Sequence, residues 1–275
     1  MGKIEDIKYL EIKVKECIEI ILQEYKEILP ADHVRHLCDL LNNESNVLMG
    51  EVGINCFYSS SQEKIIFPLQ YYAIIEELKK TDKRFSTEKN RRFVSDENKI
   101  VNDNNYFTFF EYAIVAGLMA REVFEMFTLH ETMHLCGATG NDMLSEAFTE
   151  LKTRELSLKY GIETACCNYS DEVKIAIELQ KIFGKDLCDK LIFVPNDMKM
   201  DFLRTKCKEE YAELYQQINV ELNCQMHEYQ NRRYSVDGIN GVKTLVLLYS
   251  NKNYDGIYRM IEEFKSKYLY DNGLS

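Results

Sequence analysis

The stretch Phe127–Glu150, FTLHETMHLCGATGNDMLSEAFTE, restricts the fold of this chain more than any other. His130 and His134 are four residues apart, a spacing that stacks two side chains on one face of an α-helix. Met126, Leu129 and Met133 give that helix an apolar face for burial, and Cys136 falls on the core side rather than beside the histidines. The small, Gly-rich LCGATG then suits a sharp reversal. NDMLSEAFTELKTREL reads as a second helix, with Asn141 or Asp142 as N-cap and Gly161 as its stop. Two consecutive helices that fold past each other bring their polar edges to one place.

Around this pair the chain reads as mostly helical. Residues 4–28 carry apolar side chains at helical spacing (Ile4, Ile7, Leu10, Val14, Cys17, Ile18, Ile21) and stop at Pro30. A short helix follows over Asp32–Leu41. NVLMGEVGINCFYSSSQEKIIFPLQ is rich in β-branched and aromatic residues around a Ser-rich turn, which predicts a β-hairpin or two strands within 47–67. YYAIIEELKK returns to helix, and the polar, Asn-rich 81–105 reads as a loop or subdomain joint. Helices are expected over 109–136, 142–160, 170–183, 198–232 and 255–268. With only 3 Pro and 12 Gly, long helices are favoured over a turn-rich β fold. The fold class is therefore α+β, predominantly helical, with a small mixed β portion near the N-terminus.

A formal charge of −11 argues against a nucleic-acid backbone as partner. The longest apolar run, YAIVAGLMA, is far short of a membrane span, and the charged N-terminus lacks the core of a signal peptide. Nine scattered cysteines without a C-x-x-C pair read as reduced thiols, which points to the cytoplasm. A protein secreted without a leader fits the same sequence.

Two imidazoles aimed at one point are what a bidentate metal clamp requires, and Zn2+ takes histidine nitrogen at about 2.0–2.1 Å. Glu131 lies about 100° further round the helix. It is then beside the metal rather than on it, where a carboxylate can take a proton from water. The third ligand has to come from downstream. Gly140 stands where H-E-x-x-H-x-x-G-x-x-H would carry its third histidine, which excludes that pattern. Asp142 and Glu146 remain. Glu146 has the stronger case, since it shares a helix face with Glu150 at i, i+4, while Asp142 is also explained as a cap.

HETMH followed by EAFTE resembles the zincin metallopeptidases and, within them, the gluzincins. In thermolysin-like enzymes a downstream helix carries a ligand Glu and, four residues later, a second acid, as Glu146 and Glu150 do here. MLSEAFTELKT is also similar to an LNEGLTELLT segment of bacterial metallopeptidase-like proteins, with Ser145 and Ala147 in place of its Asn and Gly. The resemblance implies a zincin-like fold: an N-terminal subdomain over 1–136 ending in the active-site helix, and a helical subdomain over 137–275 carrying the third ligand. It implies Zn2+ on His130, His134 and Glu146, Glu150 behind a ligating histidine, Glu131 as general base, and a peptide or protein substrate aligned by a strand near 47–67. An oxyanion donor is expected from the C-terminal half. His227, in QMHEYQNRRYSVDG, is the only histidine there, with Tyr229 and Tyr234 nearby. A second reading keeps the scaffold without turnover, as a regulatory peptide-binding protein. His33 and His36, three apart in DHVRH, have no Cys or carboxylate cluster beside them and read as structural.

Overall fold

The N-terminal apolar repeat forms α1 (Gly2–Tyr25), which buries Leu10, Val14, Cys17, Ile18 and Ile21 along one stripe. The covered stripe begins at Leu10. Ile4, expected on it, is 66% exposed. Pro30 ends the run, and its carbonyl accepts the Val34 N–H as α2 (Ala31–Asn42) begins. The computed structural model describes residues 2–42, 46–51, 56–81, 120–140, 142–164, 169–232, 244, 247–249 and 251–270. Within them the chain is predominantly helical, with one small mixed sheet.

Three strands form where a hairpin or two strands were expected. They are β1 (Val47–Gly50), β2 (Phe57–Ser59) and β3 (Lys64–Pro68), in the order β1-β3-β2. β2 and β3 make the antiparallel hairpin, with Tyr58 opposite Ile65. β1 joins β3 in parallel, Val47 opposite Ile65. The extra strand is anchored by a buried carboxylate: Glu11 on α1 accepts the N–H groups of Asn46 (3.1 Å) and Val47 (2.9 Å). Burial pushes the Glu11 carboxyl up, against the pull of these two bonds.

After α3 (Gln70–Thr81), the histidine-bearing helix is α4 (Ala120–Leu135). The stretch 82–105 and the expected helical start before Ala120 lie outside the described residues. α4 packs against α1, β2, β3 and α3, and it is buried nearly all round. Phe124 on α4 stacks on Tyr71 of α3, with ring centroids 5.3 Å apart, and stands 5.2 Å from Phe67 of β3.

The C-terminal half holds α5 (Met143–Tyr160), α6 (Ser170–Phe183), α7 (Lys185–Leu191), α8 (Lys199–Lys206), α9 (Glu209–Arg232) and α10 (Asp255–Lys265). α5 runs as expected, from its Asp142 cap to Gly161 in the left-handed conformation. The single helix expected over 198–232 is two. Cys207 leaves helical geometry (φ −124°, ψ −132°), although KCKEE contains no Gly or Pro to announce a break. Helix α7, not expected, is set apart from α6 by Gly184 at φ 87°. No helix among the described residues is long and apolar enough to cross a membrane.

The aromatic contact between α3, β3 and α4 is the seam that fixes the sheet against the histidine helix. Phe124→Ala should lower the unfolding free energy by about 3–5 kcal/mol, read from the denaturant midpoint at constant m. An unchanged midpoint would show that the seam does not hold these elements together.

Candidate metal centre

α4 ends in a left-handed Gly137 (φ 97°), and the Ala138 N–H returns to the Met133 carbonyl at 2.9 Å. The chain reverses through Ala138–Gly140 and enters α5, where Asp142 caps the first turn. One carboxylate oxygen of Asp142 accepts the Ser145 N–H (2.8 Å) and the other the Ser145 hydroxyl (2.6 Å). Glu146 then falls in the first turn of α5, where the helix dipole favours a negative charge.

Three atoms converge. His130 Nε2 and His134 Nε2 are 3.1 Å apart, and Glu146 Oε2 is 3.3 Å from each. The other ring nitrogens decide what kind of atoms these are. His134 Nδ1 is 3.0 Å from the carbonyl oxygen of Ala138, which can only accept, so that nitrogen carries the proton. His130 Nδ1 is 2.8 Å from Glu150 Oε2, and Glu150 is in turn held by Arg154 Nε at 2.7 Å. A carboxylate paired to arginine accepts, so His130 also carries its proton on Nδ1. In its neutral form each ring therefore turns a lone pair to the same point as the Glu146 oxygen, and with no metal bound a second proton on His130 Nε2 takes that place. Three lone pairs at such distances repel unless a positive centre sits between them. Burial pushes His130 down, yet Glu146 and Glu150 more than reverse this and hold its pKa up at about 10. The group attracts positive charge, and it can hold a metal ion.

No family model matches the chain, and neither curated proteins nor solved structures give a match.

The case for this centre rests on its geometry. The three groups open on a cavity of about 600 Å3. Glu131, next to His130 in sequence, also lines the cavity, and its Oε2 accepts the Tyr58 N–H of β2 at 2.9 Å. Gly140 covers the ligands so closely that a Cβ there would lie 3.1 Å from Glu146 Oε1 and 3.4 Å from His134 Cε1. The position that would carry a third histidine in another pattern is here backbone lying over Glu146 and His134.

Placement of the remaining sequence candidates is equally specific. Glu150 stands behind His130 as expected, and Asp142 spends both carboxylate oxygens on Ser145. His227 is exposed on α9, bonded to Asn231, and is not among the residues lining the cavity. Tyr229 is buried against Tyr249, with ring centroids 5.6 Å apart. Tyr234 lies outside the described residues, as do Asn141 and Cys166–Cys167. Helix periodicity did not bring His227 to the site, because α9 turns that side to solvent.

Three features were not anticipated. Arg154 is fully buried, and its i, i+4 spacing from Glu150 was a readable signal. Tyr169 adopts φ 53°, is nearly buried, and sets its ring 6.0 Å from that of His130. A left-handed tyrosine beside a polar site is the kind of strain that tertiary packing has to hold in place. His33 and His36, taken as structural, line the same cavity. Neither placement has a local sequence signal.

Arg154 also donates to Ser170 Oγ at 3.4 Å, at the start of α6. Arg154→Met leaves the buried Glu150 charge without its strongest donor. Affinity for a divalent cation should fall roughly 10–100-fold, measured by competition with a chromophoric chelator. Unaltered affinity would separate Arg154 from the centre.

Proposed function

We propose that this chain is a zinc-dependent hydrolase of peptide bonds, built as a zincin-like metallopeptidase of the gluzincin type. The single observation that carries the reading is the convergence of three lone pairs from His130, His134 and Glu146 beside a cavity-lining Glu131. Four ligands at about 2.0–2.1 Å in a tetrahedron are about 3.3–3.4 Å from one another. The observed separations of 3.1, 3.3 and 3.3 Å match that edge length. Two nitrogens and one carboxylate are also a donor set that zinc takes in catalytic sites, with a fourth position left for water or substrate.

Zinc held there supplies a Lewis acid that polarises a carbonyl and makes a water easier to deprotonate. The protein's own groups do the rest. His130 and His134 are fixed in tautomer and direction by Glu150 and by the Ala138 carbonyl, so neither has to reorient during a cycle. Glu131 takes the proton of the attacking water and delivers it to the leaving amine nitrogen. The Tyr58 N–H holds one of its oxygens at the cavity wall.

Strand β2 supports a peptide as substrate. It is at one edge of the sheet among the described residues, and Phe57 and Tyr58 line the cavity. An edge strand offers backbone groups along which an extended chain can lie, although the Tyr58 N–H among them is given to Glu131. The negative charge of the chain gives no support to a polyanionic substrate.

Metal analysis after dialysis tests the ligand set. Wild type should retain about one zinc per chain, and His134→Ala and Glu146→Ala should each lose it. Zinc retained by Glu146→Ala would pass the third ligand to Asp142. Glu131→Gln should keep the metal but slow cleavage of a casein peptide mixture by about 10²–10⁴-fold, followed by mass spectrometry. Full cleavage by that variant would remove Glu131 as the base.

A further inference from the structure

We propose that His33 contacts the substrate in this cavity, donating an imidazole N–H to the oxygen of the amide carbonyl under attack. The inference rests on the hydrolase reading above and adds to it a residue from the N-terminal half of the chain. α2 carries His33 and His36 to the cavity wall, both partly exposed and so within reach of a ligand.

What distinguishes His33 is its seat. Gly137 follows His134 by three residues, and a Cβ on it would stand 2.5 Å from His33 Cε1, 3.1 Å from Nδ1 and 3.3 Å from Nε2. At φ 97° the position also disfavours any side chain by backbone geometry. The imidazole thus lies directly on bare backbone at the end of the metal-ligand helix. The same cavity is lined by His130, His134 and Glu146.

Three neighbouring donors are already committed. Thr139 gives its hydroxyl to the Ile192 carbonyl at 3.2 Å, and the Asn196 amide gives an N–H to the Gly140 carbonyl. The Tyr58 N–H serves Glu131. An imidazole has at least one ring N–H in either protonation state, so His33 can donate throughout a cycle.

In the step this serves, the water oxygen bonds to the carbonyl carbon and the C=O π pair moves onto the carbonyl oxygen. His33 donates a hydrogen bond to that oxygen and keeps its proton. The pair then returns to re-form C=O as the C–N bond breaks, and the amine nitrogen receives the proton that Glu131 took from the water. A donor aimed at an oxygen that gains charge stabilises the transition state more than the ground state.

The full-length chain loaded with cobalt in place of zinc provides the test, because its visible absorption reports an anion entering the centre. Methylphosphonate, a small tetrahedral anion, is the probe, titrated into wild type, His33→Ala, His33→Gln and His36→Ala. All four should bind equal cobalt. Affinity for methylphosphonate should fall roughly tenfold in His33→Ala, recover in part in His33→Gln, which keeps an N–H donor, and change little in His36→Ala. Peptide cleavage by His33→Ala should lose kcat more than it raises KM. Equal methylphosphonate affinity in wild type and His33→Ala, a loss confined to His36→Ala, or no response in wild type overturns the assignment while leaving the metal reading in place. Failure of wild type to bind cobalt overturns both.

Discussion

The centre depends on one buried carboxylate. Glu150 lies between Arg154 and His130, accepting from both, and this fixes which nitrogen of His130 carries the proton. Everything at the site follows from that tautomer, since only an Nδ1–H ring turns its Nε2 lone pair toward His134 and Glu146. Such an arrangement is costly to bury, because desolvating a carboxylate and a guanidinium offsets most of their attraction. A chain selected for stability alone does better with apolar residues of similar volume. α5 nevertheless carries Glu146, Glu150, Lys152 and Arg154, all nearly inaccessible, within three turns. Lys152 is matched to Asp189 at 2.7 Å, so these charges are paired and are not strays. A polar helix through the core is better explained by the group it holds than by the stability it adds.

Enclosure comes from both halves of the chain. From the N-terminal side β2 lays the Tyr58 N–H on Glu131, and α2 lays His33 on Gly137. From the C-terminal side the segment after α7 straps the reversing loop: the Thr139 N–H bonds the Ile192 carbonyl at 2.8 Å, Asn196 bonds Gly140, and Lys199 bonds Ser145. Burial lowers the Lys199 pKa to about 8, an effect that Asp142 and Glu146 oppose. The loop is therefore tied to the C-terminal half at both Thr139 and Gly140. Its glycines permit close approach, and the strap holds it there.

What the sequence disclosed depended on how local the signal was. His130, His134, Glu146 and Glu150 are legible because one helix period and one cap place them, and the structure brings all four together. The same logic located α6 to the residue. It failed where a helix ends without a breaker, at Cys207, and where the outcome depends on which face a neighbour covers, at Ile4 and His227. His33 and Tyr169 were beyond it altogether. Their positions are set by contacts across more than 30 residues of chain, which no periodicity encodes.

A metal bound only for structure is normally closed by four protein ligands, often with cysteine among them. Cys136 is the obvious fourth candidate, two residues beyond His134. It is fully buried, with its thiol pushed well above the ordinary range by burial. It is not part of the converging group and does not line the cavity. The group of His130, His134 and Glu146 is thus left with three protein atoms and a remaining side that faces the cavity, where Glu131 is held. A base beside an open coordination position has no purpose in a structural site. That pairing is the reason turnover, rather than a purely structural or peptide-binding role, is the function proposed for this centre.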